Sequence, residues 1–332
     1  MVLHKAIRKL KFYLRFIFTI FLYFFKFTPF QLKKNQSLIS VINYHYFLGN
    51  DVDPLDPSLE ININVLRKQL LILLNTNKFI KNSKELSYFF NKKTIDKKFL
   101  ITIDDADYNI KKILPIIKEL KIPIILFIPF GFCLDKDNII GLQCRYLHHL
   151  YFKLNKDNKK INNKKILLEN FNQVMRLDRK SLQNKYLKLI KDSKSFFVKK
   201  KFLSIKDLKN ISDNNLITLA SHSMTHLPLK NLPNKWLKWE ITESIKLVKK
   251  VKGDYKIFAY PYGHVNSYNS NVKKMLFNHN IKFAFSTRSF LLNQNTDPLE
   301  LGRTYFFNNS NRNYILGTAF GSMQLFDNIL KR

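Results

Sequence analysis

Two cysteines, Cys133 and Cys144, are all that the chain contains. Their separation fits neither a zinc knuckle nor a C-x-x-C redox pair, so they read as ordinary core or surface thiols, in keeping with a reducing compartment. Acidic residues are also scarce: 24 Asp and Glu stand against 57 Lys and Arg, a formal charge of +33. That imbalance points to an anionic partner such as nucleic acid, acidic glycan or anionic lipid. No recognised nucleic-acid-binding motif accompanies the lysines, which makes nucleic acid the weakest of the three. The enrichment in Lys, Asn, Ile and Phe also runs from end to end, and a global compositional bias accounts for much of the charge. No repeat of solenoid period is present. Hydrophobic content of 45% argues against disorder, and 332 residues suffice for one large α/β domain or two ordinary ones.

No signal-peptidase site of the A-x-A kind follows the N-terminal hydrophobic run. Lys5, Arg8, Lys9, Lys11 and Arg15 precede FIFTIFLYFF (residues 16–25), and Lys26 closes it. The run is shorter than the about 20 apolar residues that a bilayer span requires. Residues 1–36 are therefore expected to form an uncleaved basic, aromatic segment, with residues 1–30 lying in or anchored to a membrane surface on its cytoplasmic face. Two alternatives stay open: a signal anchor leading to the outer side, with Arg15 and Lys26 snorkelling, and a helix simply packed on the domain.

From residue 37 to about 310 strands and helices alternate. The runs at 37–47, 99–104, 122–130, 216–220, 256–261 and 281–286 have strand character. The segments 65–77, 109–120, 204–211, 235–251 and 268–279 have helical spacing, with a possible kink at Pro115 and Ser204 as a candidate N-cap. This is the grammar of a parallel sheet covered by helices. A lysine- and asparagine-rich stretch at 150–200 interrupts it and reads as a helical insertion on the surface, while residues 311–332 read as a C-terminal tail. Length alone leaves a barrel and an open doubly wound sheet undecided.

Three of these strands end in polar clusters. FLITIDDAD places Asp104 and Asp105 side by side, SHSMTH brings His222 and His226, and PYGH occupies 261–264. Adjacent carboxylates repel and resist desolvation, so a buried strand has little reason to end in two of them unless a cation is shared. Two histidines and one carboxylate form a metal triad with positions left open for water, and the second carboxylate can take a proton from that water. Each cluster also has a plainer reading: a histidine pair at a turn, a helix N-cap with a spare charge, and a simple PYG turn. Their common place at strand ends favours one site.

These residues resemble the polysaccharide deacetylases, the NodB-homology family of metal-dependent carbohydrate deacetylases. The T-F-D-D-G motif is similar to TIDDA (residues 102–106), H-S/T-x-x-H to HSMTH (residues 222–226), and the F-A-Y-P-Y-G variant of the third motif to FAYPYG (residues 258–263). The resemblance spans about residues 37–306. It implies a distorted (β/α)7 TIM-like barrel, here with a helical insertion and a basic hydrophobic N-terminal segment. It also implies that Asp105, His222 and His226 hold one divalent metal ion, zinc or another transition metal, that Asp104 is the general base, and that Tyr262 offers a backbone N–H to the oxyanion. The family's late L-x-x-H acid is missing, since only His264 and His279 follow the third motif. Some members instead use a histidine at the end of an early Y-H strand, and NYHYF (residues 43–47) resembles that arrangement, making His45 the expected acid; otherwise His45 is a hydrogen-bonded strand-end residue. Ala106 replaces the motif glycine, and Ala259 stands where many members carry an arginine that orients the base.

The expected activity is removal of an acetyl group, N-acetyl before O-acetyl, from a cell-surface polysaccharide or lipid-linked sugar. The alternative is a catalytically inactive deacetylase-like module that binds anionic glycan, lipid or nucleic acid. Among lesser candidates, His148 and His149 are expected to be solvated at the start of the insertion, Trp236 and Trp239 to form a packing face, and Arg303 resembles a late family arginine near the site.

Overall fold

A computed structural model describes residues 2–32, 37–50, 52–54, 56–91, 97–135, 138–156, 164–191 and 201–329. Its strands are β1 (Ser40–Tyr44), β2 (Tyr46–Leu48), β3 (Glu60–Asn62), β4 (Lys78–Phe79), β5 (Lys97–Ile103), β6 (Ile124–Ile128), β7 (Ile217–Ser221), β8 (Ile257–Ala259) and β9 (Phe283–Phe285). The main sheet is parallel, in the order β1-β5-β6-β7-β8-β9, with β4 added beside β5; β2 and β3 form a separate parallel pair. Strands β1, β6, β8 and β9 are buried along their whole length, which is why they appear in the sequence as near-continuous apolar runs.

The sheet curls until residues 301–304 bridge its two edges. Leu301 pairs in parallel with Phe285, and Thr304 with Ile42. Backbone bonds from Leu301 to Ala284 (2.8 Å) and from Thr304 to Val41 (2.8 Å) secure both seams. The result is a distorted barrel. Successive strand residues point to opposite faces, so one parity fills the interior: Val41, Leu100, Ile125, Phe127, Ala220, Ala259, Phe285 and Leu301 form a buried cluster there. Continuing the same parity toward the carboxyl ends leads to Asn43 and His45, Thr102 and Asp104, His222, and Arg303. The other parity, including Ile42, Ile101, Ile103, Ile124 and Leu126, packs beneath the outer helices.

Helix Ile110–Leu120 accommodates Pro115, and Ser204 caps helix Ile205–Ser212 in a reciprocal capping box with Asp207. The insertion differs from expectation. Its helices Ile139–Lys156, Lys164–Arg176 and Arg179–Lys191 start before residue 150, and residues 157–163 and 192–200 of the expected range lie outside the described residues. It is also more than a surface decoration, because Leu142, Leu147, Phe171, Val174 and Leu182 form a second core with Trp236, Leu237 and Tyr260. Frequent lysines hide that apolar stripe in the sequence.

The segment 312–329, which follows the barrel, consists of helices Arg312–Ala319 and Ser322–Ile329. They receive the N-terminal helix Val2–Phe24: Phe16 stacks on Tyr314 at 4.6 Å, Tyr23 meets Phe320 at 5.8 Å, and the Thr19 hydroxyl points at Met323. Gly317 allows the close approach, since a Cβ there would sit 2.7 Å from the Thr19 carbonyl oxygen. The opposite face, with Tyr13, Leu14, Ile17, Phe21 and Phe24, is exposed.

Candidate active site

The carboxyl ends of the barrel strands converge on a cavity of about 250 Å³ lined by Asn43, His45, Tyr46, Asp104, Asp105, His222, His226, Tyr262 and Arg303, together with Ser58, Leu59, Thr287, Thr304 and Tyr305. All six residues expected at a site are among them. Strand β5 ends at Ile103, the Asp104 N–H still bonds to the Tyr44 carbonyl (2.9 Å), and Asp105 then turns sharply with φ at 72°. This turn gives the two carboxylates different surroundings.

Asp104 is enclosed by donors. Arg303 forms a bidentate pair with it, Nη1 to Oδ1 at 2.7 Å and Nη2 to Oδ2 at 2.9 Å, and the Asn43 amide donates to Oδ2 at 3.1 Å. Arg303 is itself fixed by the Ser286 carbonyl (2.9 Å) and the Asn43 side-chain oxygen (3.0 Å). Burial alone would raise the pKa of Asp104; the Arg303 charge, followed by His222 and His45, holds it below the usual carboxylate range. His45 Nε2 lies 3.5 Å from Asp104 Oδ2, and its side chain, at 18% exposure, is the more accessible of the pair.

Asp105 faces the histidines. Its Oδ2 accepts the Tyr46 hydroxyl at 2.6 Å, while Oδ1 lies 3.2 Å from His226 Nε2 and 3.7 Å from His222 Nε2. His222 Nδ1 is 2.8 Å from the Ala259 carbonyl, which can only accept; Nδ1 therefore carries the proton and Nε2 presents a lone pair to the cavity. Burial pushes His222 down to about 4, in keeping with a neutral ring. One ligand atom from each of Asp105, His222 and His226 lies within 4.8 Å of the others, and all three residues are buried. A carboxylate oxygen with two imidazole nitrogens fits a divalent first-row cation and leaves positions open. The donor set thus passes a chemical test independent of the motif.

The 222–226 segment is an irregular loop rather than the helical turn that H-x-x-x-H spacing suggests, with positive φ at Ser223 (67°) and His226 (54°). Tyr262 (φ 63°) and Gly263 (φ 61°) form another tight turn, bringing the Tyr262 ring to 4.9 Å from His226. At position 263 a Cβ would lie 2.6 Å from the Thr287 nitrogen, so glycine is required there. Ala106 stands at φ 52°, a left-handed conformation normally left to glycine.

Several expectations change. His148 and His149 are buried rather than solvated: His148 Nδ1 approaches the Thr225 carbonyl at 3.2 Å, and burial pushes His149 down to about 4. His279 caps its own helix and meets the Thr242 hydroxyl, and His264 Nδ1 accepts the Asn266 N–H, both outside the cavity lining. Trp236 does belong to a packing face, 5.0 Å from Phe171 and 6.1 Å from Trp239. Asn43 and Tyr46 were missed, although strand alternation places Asn43 on the same face as His45. Arg303 pairs with Asp104 from another stave, whereas Ala259 brings no charge to it.

A polysaccharide deacetylase family model matches residues 164–284, which include the HSMTH and FAYPYG motifs. No curated protein sequence matches the chain. Among solved structures, the Streptococcus pyogenes deacetylase PplD, solved in complex with acetate, is similar over 86% of this chain and 99% of its own, with a TM-score of 0.59 and 15% identity. IcaB from Ammonifex degensii aligns over 86% and 98% of the two chains, with a TM-score of 0.56 and 16% identity. A de-N-acetylase from Aggregatibacter actinomycetemcomitans aligns over 85% and 100%, with a TM-score of 0.57 and 12% identity. At these identities the structures establish a shared fold. Over residues 164–284 the chain matches the polysaccharide deacetylase family model.

Proposed function

We propose that this chain is a metal-dependent hydrolase that removes an acetyl group, N-acetyl in the first instance, from a glycan at a membrane or cell surface. The observation that carries the proposal is the contrast between Asp104 and Asp105: one carboxylate is matched by a protein cation, and the other faces two imidazole nitrogens, one of them fixed as an acceptor. Asp105, His222 and His226 would hold the cation, for which zinc suits the donor set. Bound there, zinc supplies Lewis acidity that polarises the acetyl carbonyl and makes water nucleophilic near neutral pH.

The residues of the chain supply the rest. Asp104 accepts a proton from the attacking water, and Arg303 and Asn43 keep its carboxylate oriented during the transfer. Attack at the acetyl carbon moves charge to the oxygen, toward which the Tyr262 backbone N–H is the candidate donor. His45 then delivers a proton to the leaving nitrogen as the C–N bond breaks, giving acetate and a free amine. With zinc supplied, the protein should release acetate from an oligomer of N-acetylhexosamine, and Asp104→Asn should reduce turnover by about 10²–10⁴-fold while keeping its zinc. Unchanged turnover in that variant would overturn the mechanism. Salt-sensitive binding of polyanions with neither zinc nor acetate release would favour the inactive-module alternative instead.

The N-terminal helix supports a place at the membrane surface. Its helical geometry ends at Phe24, and Lys26 turns the chain with φ at 59°, so the apolar part from Tyr13 is only about 18 Å long against the about 30 Å of a hydrocarbon core. One face is held by the C-terminal helices, while Ile17 (64% exposed) and Phe24 (70%) mark the open one. Such a helix lies in the interface, with the preceding lysines and arginines complementing anionic headgroups. The protein should float with vesicles containing anionic phospholipid, and Ile17→Glu with Phe24→Glu should release it; unchanged flotation would remove the membrane assignment.

A further inference from the structure

We infer that Glu240 is a positioning residue that holds the 222–226 loop in the geometry needed for metal ligation, an inference resting on the metal-dependent reading above. Glu240 lies within helix Asn234–Lys250 and is fully buried. A buried carboxylate is costly unless donors surround it. Here the donors come from the ligand loop: Oε2 accepts the N–H of Met224 (2.8 Å) and of Thr225 (3.0 Å), and Oε1 accepts the Thr225 hydroxyl.

The loop needs such a partner. Because it is neither helix nor strand, no regular ladder satisfies its N–H groups. Ser223 and His226 both have positive φ, a strained conformation for residues with a Cβ that persists only where the surroundings over-determine it. One side chain on a rigid helix satisfies two consecutive N–H groups and the intervening hydroxyl. The grip extends on both sides: the Ser223 hydroxyl accepts the His226 N–H (3.2 Å), and the Ser221 hydroxyl donates to Ser244, one turn beyond Glu240 on the same helix (2.7 Å). Thr225, the residue held most firmly, is covalently joined to His226. Its carbonyl is also approached by His148 Nδ1 at 3.2 Å. Glu240 thus acts through the backbone on the position of the His226 ring, without itself reaching the cavity.

The test uses the full chain and zinc alone, with the zinc dissociation constant read by competition with a chromophoric chelator and the melting temperature of the metal-free protein measured in parallel. Glu240→Gln, whose single oxygen cannot serve all three donors, should weaken zinc binding by about 10–100-fold. Thr225→Val removes only the hydroxyl arm and should weaken it less. Ile241→Val, a buried change on the same helix, should lower the melting temperature without altering zinc affinity, separating positioning from general loosening. Should Glu240→Gln fail to fold, Thr225→Val decides. Wild-type zinc affinity in the decisive variant, with Asp105→Asn still abolishing binding, would overturn the role of Glu240 and leave the metal reading intact. Absence of zinc binding by the wild-type protein would overturn both.

Discussion

The two sides of the cavity floor are built from adjacent residues and balanced in different ways. On the Asp104 side the protein provides the countercharge: Arg303 grips the carboxylate with two hydrogen bonds and Asn43 adds a third. On the Asp105 side it provides a tyrosine hydroxyl and two imidazoles, one fixed as an acceptor, and so leaves room for a cation from outside. A pair of carboxylates that looks redundant in sequence therefore separates into a complete half and an incomplete half. Arg303 enters from the stave beside β1 and Asp105 turns away at φ 72°, and these two features create the separation.

Isosteric changes at the two aspartates give the largest predicted contrast. Asp105→Asn should lose essentially all bound zinc in metal analysis of the purified protein, whereas Asp104→Asn should retain about one ion per chain. Equal retention by both would erase the distinction. Arg303→Met should cost about 3–5 kcal/mol in urea unfolding of the metal-free protein, because it strands a buried carboxylate. Adding Asp104→Asn to it should recover part of that loss, and strict additivity would show that the pair is not coupled.

A smaller effect contrasts histidines inside and outside the cavity. Burial pushes His149 down to about 4 from the ordinary 6.5, so between those values the unfolded chain binds the additional proton. Stability should accordingly fall by about 2–3 kcal/mol as pH drops from 6.5 to 4. His149→Phe should flatten that part of the pH–stability curve, and an unchanged slope would assign it to other groups. Ala106→Gly should have the smallest effect, a gain of about 0.5–1 kcal/mol, as relief of left-handed strain outweighs the added chain entropy. A loss in thermal unfolding would show that the Ala106 methyl packing matters more.

The barrel strands were legible because strands covered on both faces are written as apolar runs, and a polar cluster after such a run marks a strand's carboxyl end. TIDDA, HSMTH and FAYPYG could therefore be placed without coordinates. Glu240 could not. In KWLKWEITES it looks like one more charge on an amphipathic helix, and its partners lie 15 and 16 residues earlier in the chain. Arg303 carried only a faint signal, since it is one of four arginines beyond the third motif and nothing in the sequence says which carboxylate it meets. Solvation was misjudged at His148 and His149 because lysine-rich neighbours obscure the second core beneath them.

The stave at 301–304 seals the barrel, and it also carries the guanidinium that pairs with Asp104. Shape and reactivity are consequently completed by the same late stretch of chain. Asp104 lies 199 residues earlier in the chain than Arg303, so its buried carboxylate has no matching guanidinium until the seam closes. The seam and the Arg303–Asp104 ion pair are thus two results of one docking event.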